Sequence, residues 1–525
     1  MAAPRRGGTW SEESQKLVAA LDRLLATLGD RYRPDLREVE TRLRRGIGRS
    51  PDVLIRRLAV PAVAPDYALL VCIDGLVDTR MVDQDIAAPL LVTHQPPAAW
   101  GEAVFTPSHI RRMAHWSAIL QALAAGNTLV MAPDLPFVWV VDTGRYRQRS
   151  VQRPLTEHSV RGPEDSFNEV LLSQMNQIRQ RLHEPRLRFS PVRIGRLQHT
   201  QVAVAYLEGL TNPALVRTVL TRLRAVDIAG HADATQIAGL IRDHPRSIFP
   251  TIRATERVDI AVRRLLEGKV VILVDGDPFV LIAPAPLADF YRTAMDYAST
   301  WADTAVVRII RLGGWAIGVY LPALYVALTE VNPSLVSTSL FVLTAGNNVG
   351  LSLPPLGQVV FMVFILEVLR EAALRLPQPL STTIGTVGAI VVGTAVVKAA
   401  YVSPQVIVIM TLTALSFFSA PLYELTGTWR LIGFGMLGAA AFLGILGMVL
   451  FTMAFIGVIS GMTSFGVPYF EPWAPFRGRD WLDVLWRVPW SSFRTRPTAS
   501  RPRRVVLSRG RAPAARPHLR RERRP

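Results

Sequence analysis

The hydrophobic rhythm of the chain changes three times. Residues 11–28 carry Leu17, Val18, Leu21, Leu24, Leu25 and Leu28 at helical spacing, behind Thr9 and Glu12, which fit a capping box. An amphipathic helix is predicted there. From Asp30 to Arg57 the chain is charged and reads as a loosely packed linker. From about Pro65 to Thr300 short apolar runs alternate with helix-spaced ones, the pattern of a soluble α/β region. From Leu312 to Phe465 only eight of 154 residues are charged. A bilayer span needs about 20 apolar residues. Leu312–Leu328, Thr382–Val402, Gln405–Tyr423 and Leu431–Met462 satisfy this, the last with length to spare. Leu356–Leu374 is a fifth candidate, charged at its end, and Leu335–Leu343 is too short to cross. Four or five spans are predicted.

The α/β region contains an internal repeat. The run Leu69–Ile73 leads into Asp74-Gly75-Leu76, and Val202–Leu207 leads into Glu208-Gly209-Leu210. Leu123, Gly126, Pro136 and Phe137 match Leu265, Gly268, Pro278 and Phe279, each pair 142 residues apart. In both units a helix ends at a glycine and two strands follow, and the glycine suits the positive φ that ends a helix. The expected organisation is therefore an α/β soluble region of two similar subdomains followed by an all-α polytopic membrane domain. The divisions are 1–64 (helix and linker), 65–195 and 196–305 (the α/β subdomains), 306–476 (membrane helices) and 477–525 (a basic, disordered tail).

Composition sharpens this picture. Half of the 525 residues are hydrophobic, 19% are charged and mean hydropathy is +0.25. These values exclude a mostly disordered chain. One cysteine, Cys72, excludes an intramolecular disulfide framework and a cysteine-based metal site. The net charge is +18, with three lysines and 56 arginines. Twelve of the arginines, with a single glutamate, fall between Arg494 and Pro525. That tail fits an anionic cytoplasmic leaflet. No nucleic-acid-binding module precedes it, so no nucleic-acid partner is expected. Residues 1–50 lack the apolar run of a signal peptide, which leaves the N-terminal region on the cytoplasmic side. The positive-inside rule puts the C-terminus there too, and an even number of crossings satisfies both.

Few motifs carry chemistry. Gly433-Phe434-Gly435-Met436-Leu437-Gly438 has the G-x-G-x-x-G spacing but opens an apolar run instead of following a strand, so it reads as close helix packing. Gly385 and Gly393, and Gly457 and Gly461, fit the same small-residue logic. Asp275-Gly276-Asp277-Pro278 lies between two apolar strands and reads as a turn. There is no G-x-S-x-G, P-loop or H-E-x-x-H, and neither enzymatic activity nor a cofactor or metal is expected. The informative residues are charges within apolar helices, which face a bundle interior or water. Glu367, Arg370, Glu371 and Arg375 share one helix at spacings of three and four. They read either as a polar wall beside an ion pathway or as charges solvated where the helix leaves the bilayer. Lys398, Glu330 and Glu424 sit at span ends.

Several motifs agree on a family. Leu321-Pro322-Ala323-Leu324-Tyr325-Val326-Ala327-Leu328 with Asn332-Pro333, and Glu367 with Leu369–Pro377, are the first two. The others are Gly466-Val467-Pro468-Tyr469 with Pro472, Arg161-Gly162-Pro163, Ile178–Leu182, Asp275–Phe279 and Asp296-Tyr297. Taken in chain order over residues 65–476, these motifs resemble the GerA family of spore germination proteins, the germinant receptor A subunits and their SpoVAF-type relatives. The resemblance implies a multi-pass protein of the bacterial spore inner membrane. It implies a transporter-like B subunit and a lipoprotein C subunit as partners, and a ring of A subunits around a nutrient-gated, ion-conducting pore. The helix Leu356–Leu376 is then the expected moving or pore-adjacent element. A secondary transporter is the alternative; it requires inverted membrane repeats, and none is visible.

Overall fold

The computed structural model describes residues 31–144, 153–375, 394–419 and 422–481, apart from 108, 158, 160 and 231, together with isolated positions up to 502. The predicted N-terminal helix at 11–28 lies outside the described residues.

The α/β region is two five-stranded antiparallel sheets of one topology. The first contains β1 (Val53–Leu58), β2 (Ala68–Ile73), β3 (Ile110–Met113), β4 (Asn127–Met131) and β5 (Val138–Asp142) in the order β1-β2-β4-β5-β3. The second contains β6 (Leu187–Ile194), β7 (Thr200–Leu207), β8 (Arg253–Thr255), β9 (Val270–Val274) and β10 (Val280–Ala283) in the order β6-β7-β9-β10-β8. The duplication read from the repeat is thus a duplication of strand order. The second lobe begins earlier than residue 196, because β6 pairs with β7 along its whole length, from Leu187 opposite Leu207 to Ile194 opposite Thr200.

The central strands are apolar without alternation because both sheet faces are covered. In the first lobe Leu69, Val71 and Ile73 face helices α1 (Leu36–Arg45) and α2 (Trp116–Ala124). Leu70 and Cys72 face Ile86, Leu90 and Trp100 on the other side. In the second lobe α3 (Leu171–Arg181) and α6 (Val258–Leu266) cover one face, and α4 (Pro213–Arg224) and α5 (Ala234–Ile241) the other. Each fully buried aliphatic side chain contributes about 1.5–3 kcal/mol.

The stretch from Asp30 to Arg57 is not a loose linker. Asp35 caps α1 by accepting from the Glu38 amide at 3.1 Å, and Leu36, Val39 and Leu43 are buried against the sheet. High charge on the outer helix face hid this apolar stripe. The lobes are latched by Arg179 of α3, whose Nη2 donates to Asp52 Oδ1 at 3.1 Å, with both side chains buried. Asp275-Gly276-Asp277 is a turn: Gly276 has φ +87°, and Asp277 Oδ1 accepts from the Phe279 amide at 2.8 Å.

Two short helices, α7 (Leu287–Tyr291) and α8 (Met295–Ala298), lead into the helical half. There α9 (Trp301–Val326) is followed by α10 (Thr338–Asn348), α11 (Pro355–Arg375), α12 (Pro404–Phe418) and α13 (Tyr423–Gly461). Among the described residues, two stretches are long and apolar enough to cross a membrane: Trp301–Val331 and Glu424–Gly461. Of the other expected spans, α11 carries four charges, α12 has 15 residues, and most of Thr382–Val402 lies outside the described residues.

The expected long span Leu431–Met462 is instead a hairpin. Gly444 has φ 62° and ψ −138°, a backbone state open only to glycine. The rings of Trp429 and Phe455 lie 5.9 Å apart; on one straight helix they would be separated by about 39 Å. The arms are 423–443 and 445–461. Asn332, from the Asn332-Pro333 motif, closes the turn: its Oδ1 accepts from the Ile445 amide at 3.0 Å.

Candidate functional site: a buried ionic junction

The second lobe joins the helices through a buried cluster of charges. The helix-ending Gly268 places Lys269 at the start of β9, and α6 supplies Arg264. Both reach Asp289 on α7: Arg264 Nη1 lies 3.1 Å from Oδ1, and Lys269 Nζ pairs with Oδ2. Arg292 Nη1 stands 3.8 Å from the same carboxylate. Asp296 on α8 accepts from Arg308 Nε at 3.1 Å and from Arg311 Nη2 at 3.2 Å, both near the start of α9. Asp483, from the C-terminal segment, accepts from the Tyr297 hydroxyl at 3.0 Å and lies 3.4 Å from Arg308. Lys269, Asp289, Arg292, Asp296 and Arg308 are each at most 5% exposed.

Burial alone would raise the Asp289 pKa. The charges of Arg264, Lys269 and Arg292 outweigh it and hold the carboxyl well below the usual range. Burial pulls the Lys269 ammonium down to about 8, with Asp289 opposing the shift. Burial, then the Asp483 charge, raises the Tyr297 phenol. Such a cluster is satisfied only as a whole, and removing one member strands its partners in a water-poor site. It therefore ties the second lobe, α9 and the C-terminal segment into one mechanical unit.

An aromatic cluster lies beside it. Trp315 and Trp429 approach to 4.2 Å, and Phe249 lies 6.1 Å from Tyr469. Tyr469 is fully buried: its amide donates to Met462 O at 2.9 Å, and its carbonyl accepts from the Leu287 amide at 2.8 Å. Its neighbour Pro468 pairs with Thr463 in a two-residue ladder. The Pro468-Tyr469 motif thus clasps the end of the hairpin to the second lobe. Thr428 Oγ1 at the start of the hairpin donates to Ile248 O at 2.7 Å, so both ends of the hairpin meet this lobe.

Of the residues singled out from the sequence, Asp296 and Tyr297 lie in the junction and Pro468 and Tyr469 beside it; the others fall elsewhere. Glu367 pairs with Arg370 and, across to α13, with Arg430 Nη1 at 3.0 Å. Glu371 is exposed, and the side chain of Arg375 lies outside the described residues. Pro322 and Tyr325 are buried in α9. Gly162 has φ +110° beside exposed Arg161, and the Pro163 carbonyl accepts from buried Arg257 at 2.8 Å. Gly385 and Gly393 are outside the described residues. Around Gly457 and Gly461 there is open space within the chain. Close approaches lie instead at Gly314 and Gly318 against Ser416, Phe417 and Ser419, at Gly435 against Phe451, and at Gly447 against the Ala439 backbone.

The junction is hard to read from the sequence because the sparsely charged stretch begins at Leu312, one residue beyond Arg311. Arg308 and Arg311, three apart at the head of an apolar helix, were the available signal. Of the tail expected from 477, the described residues Asp483, Val484 and Arg487 are buried at the junction, and most of the rest lies outside the described residues.

A two-lobed α/β module fused through a buried ionic joint to long apolar helices defines the class of this protein. The model of the Bacillus/Clostridium GerA spore germination protein family matches residues 41–499, and the chain belongs to that family. It is 32% identical over 470 residues to spore germination protein KA of Bacillus subtilis, covering 88% of this chain and 86% of that protein. It is 32% identical to spore germination protein B1 of B. subtilis (90% and 99% covered) and 32% identical to GerLA of Bacillus cereus (88% and 95%). A crystal structure of the N-terminal domain of the A subunit of the Bacillus megaterium spore germinant receptor GerK3 aligns with 49% of this chain and 97% of that one, at 25% identity and a TM-score of 0.36.

Proposed function

We propose that this chain is a membrane subunit of a spore germinant receptor, working with a transporter-like B subunit and a lipoprotein C subunit in the spore inner membrane. The observation that carries the reading is the family match over 41–499, with relatives at 32% identity named as spore germination proteins. The ionic junction gives it a mechanism. A shift of the second lobe moves Asp289 and Asp296, and with them Arg308 and Arg311 at the head of α9.

The topology that fits puts module and C-terminal segment on one face, the spore core side, with α9, α11, α12 and the two arms of α13 as traversals. α9 runs away from the module; α11 begins beside Glu330 at the far end, where the Leu356 amide donates to Glu330 Oε2 at 2.8 Å. Glu367 and Arg430 lie nearer the module. By Ala400, whose carbonyl accepts from the Ser352 amide at 3.0 Å, the chain is again at the far end. α12 returns to Gly314 and Gly318, and the two arms of α13 supply the last pair. Copies of the chain assemble through small-residue faces left open, Gly457 and Gly461 among them, around an ion path gated by α11. Spores lacking the chain, complemented with wild type, Asp296→Asn or Glu367→Gln with Glu371→Gln, test this through nutrient-triggered cation release. Loss of release on deletion and in both variants is expected. Release unchanged on deletion would overturn the receptor reading; release unchanged in the carboxylate variant alone would remove α11 from the gate.

A further inference from the structure

On the second lobe, at the edge where Arg49 of the first approaches it, lies a cavity of about 350 Å³ that the junction does not use. Arg49 reaches it from the first lobe, and Arg188, Glu208, Arg217 and Arg224 from the second, a net charge of +3. Arg217 and Arg224, seven apart on α4, share a helix face with Leu220 between them. Phe189, Val216 and Leu220 supply an apolar wall.

Arg188 is the unusual member. Its side chain is 4% exposed; Nε donates to Glu208 Oε2 at 3.0 Å and Nη1 to Pro185 O at 2.8 Å. Its Nη2 is buried without a hydrogen-bond partner. A buried donor left unmade is costly, and a guanidinium prefers an anionic oxygen. Burial also pulls the Arg188 pKa down, with Glu208 opposing.

We propose that this cavity binds a phosphomonoester with an apolar substituent, the phosphate held by Arg188, Arg217 and Arg224 and the substituent against Phe189 and Leu220. A dianion answers a net charge of +3 better than a carboxylate does. The volume suits a small organic ligand. Arg49 adjoins Ser50, whose Oγ accepts from the Phe189 amide at 3.3 Å and from Arg179 Nη2 at 3.3 Å. A ligand there therefore bridges the lobes beside their latch. The inference stands independently of the receptor reading.

The test is calorimetric titration of the full chain in detergent micelles with inorganic phosphate, phenyl phosphate and benzoate. Saturable binding is expected, with phenyl phosphate tighter than either of the others. Arg217→Glu with Arg224→Glu, both exposed positions, should weaken phenyl phosphate by about tenfold or more at unchanged circular dichroism. Arg188→Met should weaken it as well. Absence of saturable binding, or equal affinity in the exposed double variant, overturns the proposal. Repeating the titration in nanodiscs identifies the source. A tenfold loss in nanodiscs containing phosphatidic acid, a phosphomonoester lipid, relative to phosphatidylcholine assigns the phosphate to a lipid headgroup, and equal affinity assigns it to a soluble phosphomonoester.

Discussion

At the position after the helix-ending glycine the first lobe carries Asn127 and the second Lys269, 142 residues on. Asn127 Nδ2 donates to the Ala122 carbonyl at 2.8 Å, a bond within its own lobe. Lys269 pairs with Asp289 outside its sheet, and Arg264, the counterpart of Ala122, reaches the same carboxylate. Two sheets of one strand order thus differ at matched positions by an amide and a methyl exchanged for two cations. The lesson is that, at these matched positions, one copy of a duplicated scaffold bonds within itself, while the other makes a joint with the helices. Glycine at 126 and 268 is retained in both lobes because φ is +92° and +86° there.

The largest effect that would break this contrast is Asp289→Asn. It strands Lys269, while Arg264 keeps Glu267 at 2.7 Å and Arg292 keeps Asp483 at 3.7 Å, and should destabilise the full chain in micelles by about 3 kcal/mol, read from thermal unfolding. Next is Gly444→Ala. The added Cβ meets Asn332 Oδ1, and the backbone leaves its allowed region, so a loss of about 1–3 kcal/mol and weaker protection of the amides around 445 are expected. Asn127→Ala should be smaller, about 1 kcal/mol, because it removes one local bond. Acid sharpens the comparison. The folded Asp289 carboxyl binds its proton less readily than the unfolded one, whose ordinary pKa is 3.8. Its contribution is present above that value and lost as pH falls below it. The unfolding temperature of wild type should therefore fall more steeply below about pH 4 than that of Asp289→Asn, while Asn127→Ala should follow wild type.

What was legible in the sequence was local or periodic. The duplication showed because matched glycines and prolines punctuate matched strands. The apolar half showed because charges are sparse in it. The hairpin did not show, because Gly444 lies among many glycines in an uninterrupted apolar run and only its φ and ψ distinguish it. The latch and the junction were hidden by distance along the chain: Asp52 meets Arg179, and Tyr297 meets Asp483, 186 residues away. Arg179 and Tyr297 were visible as motif residues, but their partners were not. The stripe of α1 was masked by arginines and glutamates on its outer face.

Hydrogen–deuterium exchange on the full chain in micelles tests the coupling most directly, comparing wild type, Asp289→Asn and Asn127→Ala at a temperature where all three are folded. Residues 301–311, at the head of α9, should exchange faster in Asp289→Asn and at the wild-type rate in Asn127→Ala. Equal exchange of 301–311 in all three proteins would contradict a second lobe wired to the helices through buried charge.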